Sequence, residues 1–397
     1  MKAQLQRLNR QLCALSVFRS ILDTPVVSGL QKLIYAMDKG SVEEQVSACG
    51  AFTKAIYEEG GSLSAFVLHY IRNDENVFLQ KKLAGEEIRP AIIHSLKSDL
   101  AALQTLAELD AVQVTASIDW DGLPLWDTEK VCLQEAYDEM LANLSTKGFG
   151  IFARFRAFKV KDGALVPVKH ADEQTIDQLY GYSRERNQVL ENTKALAEGC
   201  GASNVLLYGD AGTGKSSTIK ACANACFADG VRLIEFDKSQ LSDIPALMEA
   251  LAENPLKFIF YIDDLSFSEG DSAFSCLKGI LEGGVTGHAA NIAIYATSNR
   301  RHLVKESIEA RQGSGLHLND TLQETMSLSA RFGLTITFSK PEKDLYLEIV
   351  GSLAKEYGLT IDDAELFKRA EAFAIRSNGR SPRTAKQFVQ LAKIGLK

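Results

Sequence analysis

The chain has 397 residues, of which 46% are hydrophobic and 24% are charged, and its formal net charge is −7. The length exceeds one ordinary core, so we expect two or three domains, and the composition excludes wholesale disorder. The net negative charge gives no global attraction to nucleic acid or to anionic membranes. The sequence has no apolar stretch long enough for a membrane helix and no signal-peptide pattern, so we expect a cytoplasmic protein without a membrane partner.

Cysteine and histidine spacing excludes several kinds of site. The seven cysteines form no C-x-x-C pair, and the six histidines show neither H-x-x-x-H nor H-E-x-x-H spacing. Disulfides, a zinc site and any metal other than nucleotide-bound Mg²⁺ are therefore not expected.

Residues 1–147 are expected to form a helical N-terminal domain. Apolar residues recur there at three- and four-residue steps, which is typical of helices that pack on a partner surface. Such residues include Leu5, Leu8, Leu12 and Leu15. Residues 148–170 are predicted to form a β-hairpin or linker, because Asp162 and Gly163 supply a turn between two extended segments. This hairpin either closes the helical domain or links it to the next one.

The predicted hairpin also mixes basic and aromatic side chains. They are Arg154, Phe155, Arg156, Phe158, Lys159 and Lys161. A surface of this kind contacts phosphates and bases in some nucleic-acid-binding proteins. More often the pattern reflects one solvated and one packed face, so nucleic acid is a candidate partner but not the favoured one.

Residues 171–339 alternate short apolar runs with helical segments, which indicates an α/β core whose parallel sheet is covered on both faces. Five strands are predicted, over residues 205–208, 231–236, 258–262, 292–297 and 334–338. Residues 340–397 have a helical pattern again and are expected to form a small lid. The ligand of such a sheet binds at the carboxyl ends of its strands.

The most specific motif is GDAGTGKS at residues 209–216, between a predicted strand and a helix predicted over residues 217–228. It fits the phosphate-loop pattern G-x-x-x-x-G-K-[ST], which predicts ATP binding with Mg²⁺. Lys215 is expected to reach the β- and γ-phosphates, and the Ser216 hydroxyl to bind Mg²⁺. The predicted contacts of this loop are Gly209, Asp210, Ala211, Gly212, Thr213, Gly214, Lys215, Ser216 and Ser217.

Polar residues follow two other predicted strands. Asp263 and Asp264 end the third strand, where we expect Asp263 to hold Mg²⁺ and Asp264 to orient or deprotonate the attacking water. Asn299 follows the fourth strand and is expected to hydrogen-bond the γ-phosphate and that water. A helix-capping role for the Asp pair and a turn-forming role for Asn299 are the alternatives.

Two arginines lie at defined positions in the pattern. Arg331 comes just before the fifth strand, and Arg383 lies at the start of a predicted lid helix. An arginine is poorly matched to a helix N-terminus, so we expect an anion to compensate Arg383. A surface salt bridge is the alternative for both arginines.

Together these residues resemble the AAA+ ATPases from residue 178 to the C-terminus. The resemblance is closest to a bacterial AAA+ family of unassigned biological function, which shares DDLSF at residues 263–267 and YATSNRRHL at residues 295–303. It implies that GDAGTGKS is Walker A, that the Asp pair is Walker B, and that Asn299 is sensor 1. Arg331 would be the finger that reaches a neighbouring subunit's nucleotide in a homo-oligomer, and Arg383 would be sensor 2. The segment that packs on adenine would be Leu179, Tyr180, Gly181 and Tyr182.

The chain departs from the AAA+ pattern in two places. Most members carry glutamate where this chain has Asp264, and the shorter side chain leaves its action on water less secure. The stretch DKSQLSDI at residues 237–244 also lacks the aromatic residue and glycine that polypeptide-threading members present, so threading is not supported.

The predicted function is ATP binding with Mg²⁺-dependent hydrolysis, coupled to assembly or remodelling of an unknown protein partner recruited by the N-terminal domain. The alternative is an ATP-gated binding module or loader with negligible turnover, which Asp264 supports. A small-molecule kinase would share Walker A but would gain nothing from Arg331 or the lid.

Overall fold

The structure is a computed structural model that describes residues 1–267, 271–282, 289–299, 328–377 and 379–395. They form two compact units, the N-terminal unit Met1–Arg154 and the C-terminal unit Phe155–Lys397. The last part of the predicted YATSNRRHL stretch, residues 300–303, lies outside the described residues. Over the described ranges, no helix combines the length and the apolarity needed to cross a bilayer.

The N-terminal unit is built from helices, as predicted. The predicted apolar stripe of its first helix is buried, because Leu5, Leu8 and Leu12 all face the core of the unit. The helices are α1 (Lys2–Cys13), α2 (Pro25–Lys39), α3 (Val42–Glu58), α4 (Leu63–Asn73), α5 (Val77–Leu83), α6 (Pro90–Ala107), α7 (Ala111–Thr115), α8 (Leu133–Ala142), α9 (Leu144–Lys147) and α10 (Ile151–Arg154), with a 3₁₀ turn at Arg19–Asp23.

The C-terminal unit contains one mostly parallel sheet in which all five predicted strands are present. The strands are β1 (Ala157–Lys161), β2 (Ala164–Pro167), β3 (Val205–Gly209), β4 (Val231–Phe236), β5 (Lys257–Ile262), β6 (Ile292–Ser298) and β7 (Leu334–Phe338). Their order is β2-β1-β4-β5-β6-β3-β7. Because β3 lies between β6 and β7, the loop after it shares one sheet edge with the residues after β5 and β6.

The predicted hairpin exists but differs from the prediction in two respects. It starts later, because residues 151–154 form α10 and the first strand begins at Ala157. It also extends the sheet from five strands to seven, since β1 pairs in parallel with β4 and antiparallel with β2. Phe158 and Val160 of β1 are buried, whereas Lys159 between them is exposed. The alternation of apolar and basic residues in the sequence therefore reflects one packed and one exposed face of this strand.

In this unit, the helices that precede β7 in the chain flank this sheet, and those that follow β7 form the predicted C-terminal lid. They are α11 (Ser183–Glu198), α12 (Lys215–Ala225), α13 (Ile244–Leu251), α14 (Ser272–Leu281), α15 (Lys343–Glu356), α16 (Asp363–Arg376) and α17 (Pro382–Lys393). The prediction of a helix over residues 217–228 was wrong at both ends. Helix α12 starts two residues earlier because Gly214, in the left-handed region, is its N-cap. It ends at Ala225 because the chain turns through Gly230 into β4.

Candidate functional site

A pocket of about 860 Å³ lies at the carboxyl ends of β3, β5 and β6. It brings together most of the residues predicted from the motifs. Those that line it are Leu179, Tyr180, Ala211, Gly212, Gly214, Lys215, Ser216, Ser217, Asp263, Asp264, Asn299 and Arg383. The carboxyl ends of three strands therefore meet at one site.

Two glycines with positive φ shape the phosphate loop, and the neighbours of each fix its place. Gly209 has a φ of 136°, and a Cβ there would lie 2.1 Å from the Phe338 carbonyl oxygen of β7. Gly212 has a φ of 77° and lies directly against the start of α17, where the Arg383 N–H donates to its carbonyl oxygen at 3.2 Å. The loop is thus held between the neighbouring strand and the lid.

Lys215 connects the phosphate loop to the end of β6. Its ammonium group donates to the carbonyl oxygens of Gly209 and Asp210, both at 2.8 Å, and to Asn299 Oδ1 at 3.0 Å. Burial lowers the pKa of Lys215, although nearby carboxylates, Asp210 first among them, oppose the shift. The charge of Lys215 therefore lies at the bottom of the pocket with carbonyl and amide oxygens as partners.

Asp263 is held by two hydroxyl groups. Thr297 donates to Asp263 Oδ1 at 2.6 Å, and Ser216 donates to the same oxygen at 2.7 Å. Burial alone would raise the pKa of Asp263, but hydrogen bonds, that from Thr297 first among them, and the charge of Lys220 outweigh it and hold the pKa below its ordinary value. The carboxylate is therefore ionised at neutral pH and lies next to the hydroxyl of Ser216.

This pair suits the magnesium site that the motifs predict. Mg²⁺ is usually bound in nucleotide sites by one or two carboxylates, with waters and phosphate oxygens completing its octahedron. Ser216 and Asp263 supply one hydroxyl and one carboxylate on the pocket wall. In the described part of the chain, no group of three or more His, Cys, Asp or Glu side chains could hold a metal by itself. The donor set therefore fits a cation that needs nucleotide phosphates as further ligands.

Asp264 has an unusual backbone conformation, with a φ of 49°. Asp and Asn tolerate this left-handed region better than most residues. Its N–H donates to Thr297 Oγ1 at 2.9 Å, and its Oδ1 accepts from Asn299 Nδ2 at 2.6 Å. Asn299 thus joins Asp264 to Lys215, and Asp264 faces the pocket and caps none of the helices that the structure describes.

The predicted adenine segment divides into two parts. Leu179 and Tyr180 line the pocket, whereas Gly181 and Tyr182 are not among its lining residues in the described part of the chain. The Tyr182 hydroxyl donates to the Ser339 carbonyl oxygen at 2.6 Å, and a Cβ at Gly181 would lie 2.9 Å from Ile349 Cδ1. These two residues therefore position the segment and do not face the pocket.

Gly209, Asp210 and Thr213 of the phosphate loop also support the site without lining the pocket. Thr213 is fully buried, and its hydroxyl donates to the Asp210 carbonyl oxygen at 2.9 Å. Asp210 Oδ2 accepts the Lys340 N–H at 2.8 Å, which connects the loop to the segment after β7. These contacts fix the shape of the loop.

The two predicted arginines have different surroundings. Arg383 lines the pocket and, within the described ranges, has no ion pair that would compensate its charge at the start of α17. Among the described residues that line the pocket, Arg331 is absent. Its Nη2 lies 2.5 Å from Glu282 Oε1 of the same chain. The structure thus contains the salt bridge that was the alternative for Arg331.

Several lining residues were not predicted as site residues. Ile349 and Leu353 of α15 form an apolar wall beside Tyr180, and their helical spacing was visible in the sequence although its role was not. Thr297 lies inside a strand, where its polar side chain could have been noticed. Arg186 belongs to the polar run SRERNQ of α11, and its polar sequence neighbours give no sign that its side chain is buried.

Solved structures similar to this chain include the RuvB Holliday junction branch migration motor of Thermotoga maritima. It has 14% sequence identity and a TM-score of 0.38, and the match covers 56% of this chain and 66% of that chain. A second structure, of a variant of the same RuvB, has 15% identity and a TM-score of 0.38, covering 57% of this chain and 67% of that chain. This chain thus spans about two thirds of the RuvB chains it matches.

The comparison with curated proteins finds no significant match. A family model, by contrast, matches residues 152–394, a range that includes all the lining residues of the pocket and the lid helices. The expectation of a family without an assigned biological function is confirmed, because the chain belongs to the family described as "Protein of unknown function (DUF815)".

Proposed function

We propose that this protein binds ATP with Mg²⁺ and hydrolyses it as an AAA+ ATPase. The observation that carries the proposal is the continuous hydrogen-bonded set from Lys215 through Asn299 to Asp264, next to the Ser216–Asp263 pair. A cation for phosphates, a hydroxyl and carboxylate for Mg²⁺, and a carboxylate for water are the parts that phosphoryl transfer needs. All of them lie in one pocket.

The residues have separate roles in this proposal. Lys215 binds the β- and γ-phosphates, and Ser216 and Asp263 hold Mg²⁺, which neutralises charge on those phosphates when it is bound. Asp264 accepts a proton from the water that attacks the γ-phosphorus. Asn299 orients this water and the γ-phosphate. The bond from the γ-phosphorus to its bridging oxygen breaks, so the products are ADP and phosphate.

An ATP-gated binding module with negligible turnover is the second candidate. It is favoured by Asp264, which is one methylene shorter than the glutamate of most AAA+ enzymes and already accepts a hydrogen bond from Asn299. In this version the same pocket binds ATP, and the bound nucleotide controls assembly. Phosphate release by the purified protein separates the two candidates.

For either candidate we propose a cytoplasmic protein that assembles with copies of itself and recruits a protein partner through its N-terminal unit. Nucleic acid is not favoured as the partner of the predicted basic hairpin. Lys159 lies 3.7 Å from Glu235, and Arg156 lies 3.5 Å from Glu173 and over the Phe227 ring. These basic groups therefore have acidic or aromatic neighbours within their own unit.

The test is ATP binding and Mg²⁺-dependent phosphate release by wild type and by Lys215→Ala. The substitution removes the positive charge on the phosphates while the glycines still shape the loop, so we expect loss of ATP binding and turnover. Lys194→Ala is the matched control, because Lys194 is exposed on α11 and pairs only with Glu191 at the surface among the described residues. Wild-type ATP affinity in Lys215→Ala would overturn the proposal.

A further inference from the structure

One buried cation in the pocket has no role in the proposed function. Arg186 of α11 is only 4% exposed, although it lines the pocket. Its Nη2 donates to the Tyr180 carbonyl oxygen at 3.0 Å, while its Nε is buried and has no hydrogen-bond partner among the described residues. Within the same residues no carboxylate forms an ion pair with it.

A charge in this position is costly without a counter-charge. Burying an arginine whose donors are incompletely used and whose charge is unpaired destabilises a fold. Burial lowers the pKa of Arg186 to about 10, so the group is still charged at neutral pH. Such a cation is compensated if an anion enters the pocket.

The position of the guanidinium indicates which anion this is. Its Nη2 lies 3.8 Å from where a Cβ on Gly214 would be, at the N-terminus of α12. Its other neighbour is Tyr180, of the segment expected to pack on the base. Lys215, by contrast, extends to Asn299 and so to the carboxylates. Arg186 therefore lies between the base side of the pocket and the phosphate loop.

We propose that Arg186 is a nucleotide-binding residue whose guanidinium holds the phosphate group nearest the nucleoside. This inference rests on the proposed function and deepens it, because it assigns a second cation to the bound nucleotide. Lys215 serves the β- and γ-phosphates, and Arg186 serves the α-phosphate, which ATP and ADP both carry. With this contact, the phosphates shared by ATP and ADP, and not only the base, determine how tightly the protein binds the nucleotide.

The experiment measures binding of ATP, ADP and adenosine to the full chain by calorimetry, with adenosine measured by competition against a fluorescent ADP. Arg186→Gln should weaken ATP and ADP by about 10- to 100-fold each, the range expected for a lost charge-assisted hydrogen bond. Adenosine should bind as to wild type. Arg184→Gln is the matched control, because Arg184 is exposed two residues earlier on the same helix.

A second variant separates binding from folding. Arg186→Met keeps an unbranched side chain and removes the buried charge, so the nucleotide-free protein should be at least as stable as wild type. Its melting temperature should nevertheless rise much less on addition of ADP. Arg186→Lys, which keeps the charge and loses the fork of donors, should retain an intermediate ADP affinity.

Two results would overturn the inference. Unchanged ADP affinity in Arg186→Gln and Arg186→Met would make the residue structural, and an equal loss for adenosine would make it a base contact. In both cases the proposed function stands if wild type binds ADP. Absence of both ATP and ADP binding to wild type would instead remove the proposed function and this inference together.

Discussion

Thr297 is the residue that organises both carboxylates of the site. Its hydroxyl is buried, donates to Asp263 Oδ1 at 2.6 Å and accepts the N–H of Asp264 at 2.9 Å. The first bond holds the carboxylate proposed for Mg²⁺, and the second stabilises the left-handed backbone of Asp264. One hydroxyl on β6 thus fixes the relative position of two groups at the end of β5.

Thr297→Val tests this positioning role. Valine has nearly the same shape but cannot make either bond, so the N–H of Asp264 loses one partner and Asp263 loses one donor. We expect a higher Mg²⁺ requirement and at least about a tenfold fall in ATP hydrolysis, with ATP binding largely retained. A Mg²⁺ titration of phosphate release measures both effects. Thr297→Ser keeps the hydroxyl and is the control, and a wild-type Mg²⁺ profile in Thr297→Val would contradict the role.

The second carboxylate gives a separate prediction. Asp264→Asn keeps a residue that tolerates a φ of 49° but removes the group that accepts a proton. ATP binding should persist, while hydrolysis falls by about 10²- to 10⁴-fold, the usual contribution of a general base. Asp264→Glu should hold or raise the rate if the residue acts on water. Normal turnover by Asp264→Asn would move that role to another residue.

At the scale of elements, the fit between β3 and β7 shapes the phosphate loop. Gly209 is the last residue of β3 and pairs with Phe338, the last residue of β7. The next N–H, of Asp210, donates to the Phe338 carbonyl oxygen at 3.1 Å. The strands approach so closely there that no side chain fits, which is why the motif must begin with glycine.

Gly209→Ala should therefore destabilise the C-terminal unit. The new Cβ would lie 2.1 Å from a carbonyl oxygen, and the φ of 136° is itself strained for alanine, so the backbone must shift. We expect a loss of at least about 2 kcal/mol of unfolding free energy in urea, together with weaker ATP binding. In the control Gly351→Ala the new Cβ would lie 3.6 Å from the Phe367 ring, an ordinary contact in α15. Equal stability of the two variants would refute this account of the loop.

The sequence was sufficient to predict elements whose signal is local. The central strands include continuous buried runs such as Phe258 to Ile262, and the phosphate loop has a fixed spacing. The place of the hairpin in the sheet was not predictable, because β1 pairs with β4, a strand that is distant in the sequence. Arg186 was missed for a similar reason: its burial comes from packing around the pocket, and its neighbours on α11 are polar.

At the scale of the whole molecule, the role of Arg331 decides whether one chain completes its own site. The described pocket contains Lys215, Asp264, Asn299 and Arg383 but not Arg331. Arg331 pairs with Glu282, and its Nε is buried without a hydrogen-bond partner among the described residues. The salt bridge alone would make Arg331 a structural residue, whereas the AAA+ resemblance would make it the group that completes a neighbour's site.

The two roles differ in what a pair of single variants does. If the salt bridge is the whole role of Arg331, then Arg331→Ala and Glu282→Gln remove the same interaction and should change stability and hydrolysis alike. If Arg331 acts on a neighbour's nucleotide, Arg331→Ala should bind ATP with near-normal affinity and hydrolyse it about 10³- to 10⁵-fold more slowly. Glu282→Gln should then keep its activity, because it leaves the arginine in place.

Mixing two inactive variants gives the most direct test of assembly. Arg331→Ala keeps an intact phosphate loop, and Lys215→Ala keeps the arginine, so each supplies what the other lacks where two copies meet. We expect the mixture to recover part of the wild-type hydrolysis, and wild-type specific activity to rise with protein concentration. Phosphate release is measured over a series of concentrations. The control mixture pairs Arg331→Ala with a chain that carries both substitutions, so it contains no copy of the arginine and should stay inactive. A monomer with constant specific activity and no recovery on mixing would leave Arg331 with its salt bridge to Glu282 and remove the oligomer from the proposed function.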